Sequence, residues 1–242
     1  MPCLAAQSDA TLGERQLAGD VSTVAVSRRW AADLASPARW QALLERLGAK
    51  RAVEPAFAGL RARYAEPHRA YHTYAHVRAC LALFDEAGHL AAHPDEVEAA
   101  LWLHDVIYDP RAADNEEQSA RWADHHLGEA CVPGERLLTI GELILVTRHD
   151  GVPTSVDAQL VVDIDLAILG AEREAFDLYE RQIRLEYDWV ARETFCRRRA
   201  AVLTQFLERG RIYQTAFFRE RYEAQARANL ARSLSRLGRA HG

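Results

Sequence analysis

The sequence predicts an all-α protein. Apolar residues recur at intervals of three and four from residue 37 onward, and the alternation typical of strands is nearly absent. Pro37, Pro94 and Pro133 fall where helices would begin, and a glycine follows several of the predicted ends. Ten helices are expected, at residues 37–48, 53–65, 71–88, 94–108, 115–128, 134–148, 155–169, 172–190, 193–209 and 215–237.

A chain of 242 residues is long enough for one domain with a full apolar core. Residues 1–36 mix Ala, Ser, Gly and Asp without sustained apolar periodicity, which predicts a loosely ordered N-terminal extension. Residues 37–242 are expected to form the folded domain. The last helix carries a long apolar stripe that is compatible with self-association into a homo-oligomer.

Composition excludes several classes of protein. No run of about 18 uncharged apolar residues is present, and the first ten residues do not resemble a secretory signal, so no membrane association is expected. The four cysteines lie far apart in the sequence, which favours a reducing, cytoplasmic setting. The net charge of −5 argues against nucleic-acid binding. Residues 191–242 nevertheless hold 12 Arg against 4 Glu, either as solvated helix faces or as a flank that attracts a phosphorylated substrate.

Acidic side chains occur on two helix faces that should be buried. The apolar stripe of helix 94–108 turns His104 and Asp105 toward the core. In helix 155–169, Asp165 has only apolar neighbours one turn away on either side. A buried carboxylate needs a cation or a dense set of hydrogen bonds. Asp163 lies about 200° around the same helix, so it is the second choice as a metal ligand, with a cap or salt bridge as its alternative.

His72 and His76 lie four residues apart in the predicted helix 71–88 and would share one face. Such a pair is weak evidence by itself. Together with the His-Asp step and the later Asp, however, it predicts a site for Mn, Mg, Fe, Ni or Zn built from several helices.

The order His76, His104-Asp105, Asp165 resembles the HD superfamily of metal-dependent phosphohydrolases, whose pattern is H…HD…D. Longer stretches are similar to the bacterial predicted metal-dependent HD phosphohydrolases, and the resemblance covers about residues 37–238. The similar stretches are EPHRAYHTYAHV (66–77), ALWLHDVIYDPRAADNEEQSA (100–120), VTRH (146–149), DIDLAILG (163–170), IRLEYDWV (183–190) and ARANL (226–230).

The resemblance implies an HD-type helical bundle in which His76, His104, Asp105 and Asp165 bind a divalent metal ion. It also implies hydrolysis of a phosphomonoester or phosphoanhydride bond in a small phosphorylated metabolite, such as a nucleotide. Open coordination positions would accept water and a phosphate oxygen, and Asp105 would also orient that water.

Further groups are needed around the phosphate. Arg69, His72 and His149 are the nearest candidates for substrate binding, with Arg148 as an alternative. Glu117 is the candidate general acid or base, with Glu116 as the alternative; the competing interpretation is a capping box between Asp114 and Glu117. We expect a core position for Cys80 and a surface or packing role for His125 and His126. For Arg184, Glu186 and Tyr187 we expect helix packing or a salt bridge.

Two other functions remain open. A di-iron oxygenase of HD type would need extra histidine ligands from His72, His125, His126 or His149. A non-catalytic nucleotide-binding module on the same fold would tolerate loss of a ligand, and here the H…HD…D set is intact.

Overall fold

Ten α-helices follow one another in the computed structural model, which describes residues 34–51 and 54–239. Short 3₁₀ turns occupy Gly88–Leu90, Val146–Arg148 and Leu166–Gly170, and the described residues contain no strand. The helices are α1 (Pro37–Arg46), α2 (Glu54–Arg63), α3 (Tyr74–Ala87), α4 (Pro94–Leu103), α5 (Asn115–Glu129), α6 (Gly134–Leu145), α7 (Val156–Asp165), α8 (Arg173–Glu186), α9 (Arg192–Glu208) and α10 (Ala216–Arg239).

Helix α4 lies at the centre of the bundle. Every residue from Glu96 to Leu103 is buried, and α1, α3, α6 and α7 pack around the helix. The carboxylate of Glu98 is paired on both oxygens, with Arg39 Nε and Arg46 Nη2 each at 2.6 Å. This pairing satisfies a charge that would otherwise be costly to bury.

Helix α10 packs against the 3₁₀ turn that follows α7. A Cβ atom at Gly170 would lie 2.6 Å from both the Cβ and the carbonyl oxygen of Tyr222, so only glycine permits this close approach. Phe218, Ala226 and Leu230, which belong to the apolar stripe predicted for the last helix, are buried against the rest of this chain, and Tyr222 packs against the core. This contact fixes the end of α7, and with it Asp165.

Three predicted helices that carry site residues are shorter than expected. Helix α3 begins at Tyr74 rather than at residue 71, with Thr73 as its N-cap, so His72 precedes the helix and shares no helical face with His76. The backbone N–H groups of residues 70–72 donate to a side chain of α8 instead of entering a helix. Helix α4 ends at Leu103, which leaves Asp105 in the following turn, and α7 ends at Asp165.

The predicted N-terminal extension lies, up to residue 33, outside the described residues. Leu34–Ser36 already belong to the fold, because Ala35 is 5% exposed and its carbonyl accepts the hydroxyl of Tyr74. No helix among the described residues has the length and apolar character needed to cross a membrane.

Candidate metal centre

Four polar side chains from three separate parts of the chain converge beside α4. His76 projects from the first turn of α3, His104 and Asp105 lie just after α4, and Asp165 ends α7. Both imidazoles are almost completely buried, and the side chains of Asp105 and Asp165 are about 15% exposed. The structure thus brings together the four side chains that the sequence predicts as metal ligands.

The spacing of the four donor groups suits a single cation. His76 Nε2 lies 3.1 Å from His104 Nε2 and 3.0 Å from Asp165 Oδ1. Asp105 Oδ2 lies 3.1 Å from His104 Nε2 and 3.6 Å from His76 Nε2. Ligands at about 2.1 Å from a common ion lie roughly 3.0–3.5 Å from one another. Two nitrogens and two carboxylate oxygens are also the donor types that divalent first-row metals accept.

Charge in this cluster is strongly coupled. Burial alone would lower the pKa of His104, but the carboxylates of Asp105 and Asp165 raise it well above its usual range. Burial opposes ionisation of Asp165, yet hydrogen bonds from His104, His149 and His76 hold its pKa well below the usual value. The raised pKa of His104 favours its protonated form, and a metal ion bound at this imidazole would have to displace that proton.

Cys80 lies against the same cluster without the character of a strong ligand. Its Sγ is 3.7 Å from His76 Nε2, and it can be grouped with His76, His104 and Asp165 by distance alone. Burial raises the pKa of this thiol well above its usual range, so the sulfur stays protonated. A protonated thiol is a poor ligand, which favours a packing role for Cys80.

Asp163 has a different environment from Asp165. Its side chain accepts hydrogen bonds from the backbone N–H groups of Gln214 (2.8 Å) and Thr215 (2.7 Å), and from the Thr215 hydroxyl (2.7 Å). It therefore fixes the loop that leads into α10. Burial raises its pKa.

His72 is held in place by Glu186, the last residue of α8. Glu186 Oε1 accepts the backbone N–H groups of Ala70, Tyr71 and His72 at 2.8–2.9 Å. Glu186 Oε2 lies 2.7 Å from His72 Nδ1 and accepts the Tyr108 hydroxyl at 2.9 Å. The Tyr108 ring also stacks on the imidazole, with the centroids 4.1 Å apart. Since a carboxylate can only accept, Nδ1 carries the proton, and Nε2 is the ring nitrogen left for other partners.

Arg69 is used within the protein. Its guanidinium is fully buried and donates to the carbonyls of His72 (3.0 Å), Asp105 (2.7 Å) and Val106 (3.1 Å), while Nε donates to Glu66. The structure therefore places Arg69 behind the ligands, where it ties together the two loops that carry His72 and Asp105. It does not line the cavity in front of Asp165.

His149 approaches Asp165 from the other side. Its Nε2 lies 2.9 Å from Asp165 Oδ2, the carboxylate oxygen that does not face His76. The backbone of His149 is left-handed (φ 58°), a conformation uncommon for residues other than glycine and often found at functional sites. Nδ1 is buried and has no hydrogen-bond partner among the described residues.

A cavity of about 570 Å³ lies in front of Asp165, His149 and His72. Glu116 lines it, whereas Glu117 does not. Glu117 instead pairs with Arg148 Nη1 at 2.5 Å. The alternative capping box is absent, because the Asp114 side chain accepts no backbone N–H of the helix and accepts from the Gln118 side chain instead. Burial, followed by the charges of Asp105 and Glu117, raises the pKa of Glu116.

Three arginines contribute positive charge to the cavity. Arg148 is exposed and paired with Glu117 and Asp150, and Arg199 is paired with Glu180. Arg209 donates to the carbonyl of His149 at 2.6 Å, lies over the ring of Phe206, and forms no salt bridge with any described carboxylate. A partly buried cation without a counter-ion is suited to an anionic ligand.

The sequence pattern did not single out Tyr108 or Arg209 for a functional role, and it predicted helix packing or a salt bridge for Glu186. Glu186 is separated from His72 by 114 residues, so no local spacing connects the two. His125 and His126 lie at the other end of α5 from Glu116, about 14 Å along the helix axis. With Glu129 they form a separate group that could hold an ion, and the His126 ring packs at a tilt against Trp122.

Comparison with known proteins gave no significant match, whether against protein-family models, curated protein sequences or solved structures. The fold and the site define an all-α protein with a buried group of histidine and aspartate side chains that could bind a metal ion.

Proposed function

We propose that this protein is a metal-dependent phosphohydrolase of the HD type that cleaves a phosphomonoester or phosphoanhydride bond in a small phosphorylated metabolite. The observation that carries the proposal is the convergence of His76, His104, Asp105 and Asp165 at ligand spacing beside a cavity lined with arginines. We also propose a cytoplasmic setting, on the grounds of the scattered cysteines.

The four donors would hold one divalent cation. When bound, such an ion lowers the pKa of a coordinated water and neutralises charge on a phosphate oxygen. The protein contributes the fixed positions of the ligands. Asp165 is oriented by His149 through its second oxygen, and the backbone carbonyl of Asp105 accepts a hydrogen bond from Arg69.

Three other side chains would act on the substrate. Arg209, which forms no salt bridge with any described carboxylate, supplies a positive charge for the phosphate oxygens. His72, with its Nδ1 proton directed at Glu186, offers Nε2 to a phosphate oxygen or to a water. Glu116 retains its proton to a higher pH than a surface glutamate, which suits a general acid that protonates the leaving oxygen.

The cavity limits the substrate to a small molecule. Its volume of about 570 Å³ lies within the range of roughly 300–1,000 Å³ that small-ligand sites occupy. Aromatic side chains, including Tyr179 and Phe206, line it together with the arginines. This combination suits a phosphate group attached to an organic portion, as in a nucleotide.

The test combines metal content with hydrolysis. Protein without a histidine tag is purified without chelators, and its metals are measured by mass spectrometry for the wild type, Asp105→Ala, His104→Ala and the surface control Asp124→Ala. About one Mn, Mg, Fe, Ni or Zn per chain is expected in the wild type and the control, and less than a tenth of that in the two site variants. Metal-stimulated release of phosphate from a nucleotide panel should follow the same order, with helix content unchanged.

Full metal content and activity in Asp105→Ala would refute the site. Two irons per chain with no phosphate release would instead support the di-iron oxygenase. Absence of both bound metal and metal-stimulated hydrolysis would favour the binding module.

A further inference from the structure

A smaller apolar recess opens from the side of the candidate active-site cavity. It measures about 230 Å³ and lies between the end of α8 and the first half of α9. The recess adjoins the cavity, because four side chains line both spaces: Ile183, Tyr187, Arg199 and Val202.

The floor of the recess belongs to an apolar cluster that is separate from the main core. Ile183, Val190 and Phe195 are buried together there, and the Tyr187 ring packs against them. Next to the recess, the Arg184 guanidinium lies over the Phe195 ring and its Nη2 donates to the carbonyl of Val190, so that Arg184 contacts two of the lining residues.

The polarity of the recess restricts what can enter it. No acidic side chain lines it, and its charged groups are the guanidinium groups of Arg198 and Arg199. Among the described residues, Arg198 forms no salt bridge, whereas Arg199 is fixed by Glu180 and the Tyr179 hydroxyl. A sugar buried against Ile183, Val190 and Phe195 would lose hydrogen bonds to water without replacement, because these side chains carry no polar atom.

The volume suits one flat ring. An apolar cavity of about 150 Å³ is enough to bind benzene. The recess therefore has room for a single or fused aromatic ring, and cations beside such a ring add a favourable electrostatic contact.

We propose that this recess is a specificity subsite that binds an aromatic ring on the organic portion of the phosphorylated substrate, while the phosphate lies at the metal centre. This inference rests on the proposed function for the position of the phosphate. It extends that function in two ways: Tyr187, Phe195 and Val202 would contact the ring, and aryl phosphates would bind more tightly than small alkyl phosphates.

Phosphonates, which cannot be hydrolysed, provide the test. Calorimetry in the presence of Mn²⁺ compares methylphosphonate with phenyl-, benzyl- and 3-phenylpropylphosphonate, a series that extends the ring progressively away from phosphorus. Wild-type protein should bind at least one aryl compound tenfold or more tightly than methylphosphonate.

Variants of Val202, which is 39% exposed at the mouth of the recess, locate the effect. Val202→Trp, which fills the mouth, and Val202→Asp, which places a charge there, should each reduce the aryl preference to below threefold. Leu138→Trp should keep it, as a control on exposed Leu138 of α6 that lines neither space. Circular dichroism checks that every variant is folded.

Each result separates the two proposals. Binding of methylphosphonate without any aryl preference, or a preference that survives in both Val202→Trp and Val202→Asp, overturns the subsite alone. An aryl preference that depends on Val202, without binding of methylphosphonate, supports the subsite and counts against the placement of the phosphate. Failure of every phosphonate to bind overturns both.

Discussion

Asp163 and Asp165, two residues apart on α7, serve different parts of the molecule. Asp165 lies 3.0 Å from His76 and 2.9 Å from His149, within the candidate metal centre. Asp163 is fully buried and caps the loop before α10 through three hydrogen bonds. The helix separates them because two residues correspond to about 200° of rotation.

Substitution of these two aspartates should therefore separate metal binding from stability. Asp165→Ala is expected to reduce metal content to below a tenth of the wild-type value and to keep the helix content. Asp163→Ala is expected to keep the metal and to lower the free energy of unfolding by about 2–3 kcal/mol, because buried donors lose their acceptor. Mass spectrometry and urea unfolding measure the two effects. Metal loss in Asp163→Ala alone would reverse our assignment.

Glu186 should stabilise the fold in a pH-dependent way. Burial opposes its ionisation, but the hydrogen bond from His72 and its other donors lower its pKa from 4.5 to about 2. This corresponds to about 3 kcal/mol of stabilisation at neutral pH. The contribution is complete above pH 4.5 and is lost as the pH falls toward 2. Relative to the wild type, Glu186→Gln should thus lower the free energy of unfolding by about 3 kcal/mol at pH 7 and by only about 1 kcal/mol at pH 3. A constant difference in urea unfolding at both pH values would contradict this account.

Glu116 and Glu117 are adjacent in sequence but should differ in catalysis. Glu116→Gln removes the carboxyl on the cavity wall, whose pKa burial raises, and should lower kcat for a chromogenic aryl phosphate with Mn²⁺ by about 100-fold or more. Glu117→Gln removes a partner of Arg148 near the surface and should change kcat by less than about threefold. Metal content should stay constant in both. The reverse order of effects would restore Glu117 as the general acid.

Arg209 and Arg148 provide a matched pair of cations. Arg209→Gln should weaken the binding of inorganic phosphate about tenfold or more in the presence of Mn²⁺, because its charge has no carboxylate partner among the described residues. Arg148→Gln should weaken it less than threefold, since Glu117 and Asp150 already share that charge. Calorimetry with phosphate as the ligand measures both. Equal weakening by the two substitutions would show that overall charge, rather than Arg209, attracts the anion.

Periodicity in the sequence predicted ten helices, and an amphipathic helix such as α6 shows the reason, because it buries Ile140, Leu143 and Ile144 on one face. The same pattern marked His104, Asp105 and Asp165 as polar groups on buried faces, and the structure brings them together with His76. A physical conflict between charge and burial is thus visible without coordinates.

Interactions between distant segments could not be predicted in this way. The start of α3 depends on Glu186, which accepts hydrogen bonds from the backbone N–H groups of residues 70–72 although it lies more than 100 residues later in the sequence. The choice between Glu116 and Glu117 depends on the rotation of α5 about its axis, which Arg148 influences from beyond α6. Neither partner leaves a local signal in the sequence.

Arg69 gives the candidate centre a practical property. Its buried guanidinium connects the loops of His72 and Asp105 through carbonyl groups, without using a metal ligand side chain. Hydrogen bonds within the protein therefore hold the loops around the ligands, so a chelator should remove the ion without unfolding the chain. A single emptied preparation could then be reloaded with Mn, Fe, Ni, Zn or Mg in turn, so that differences between metals would reflect coordination chemistry alone.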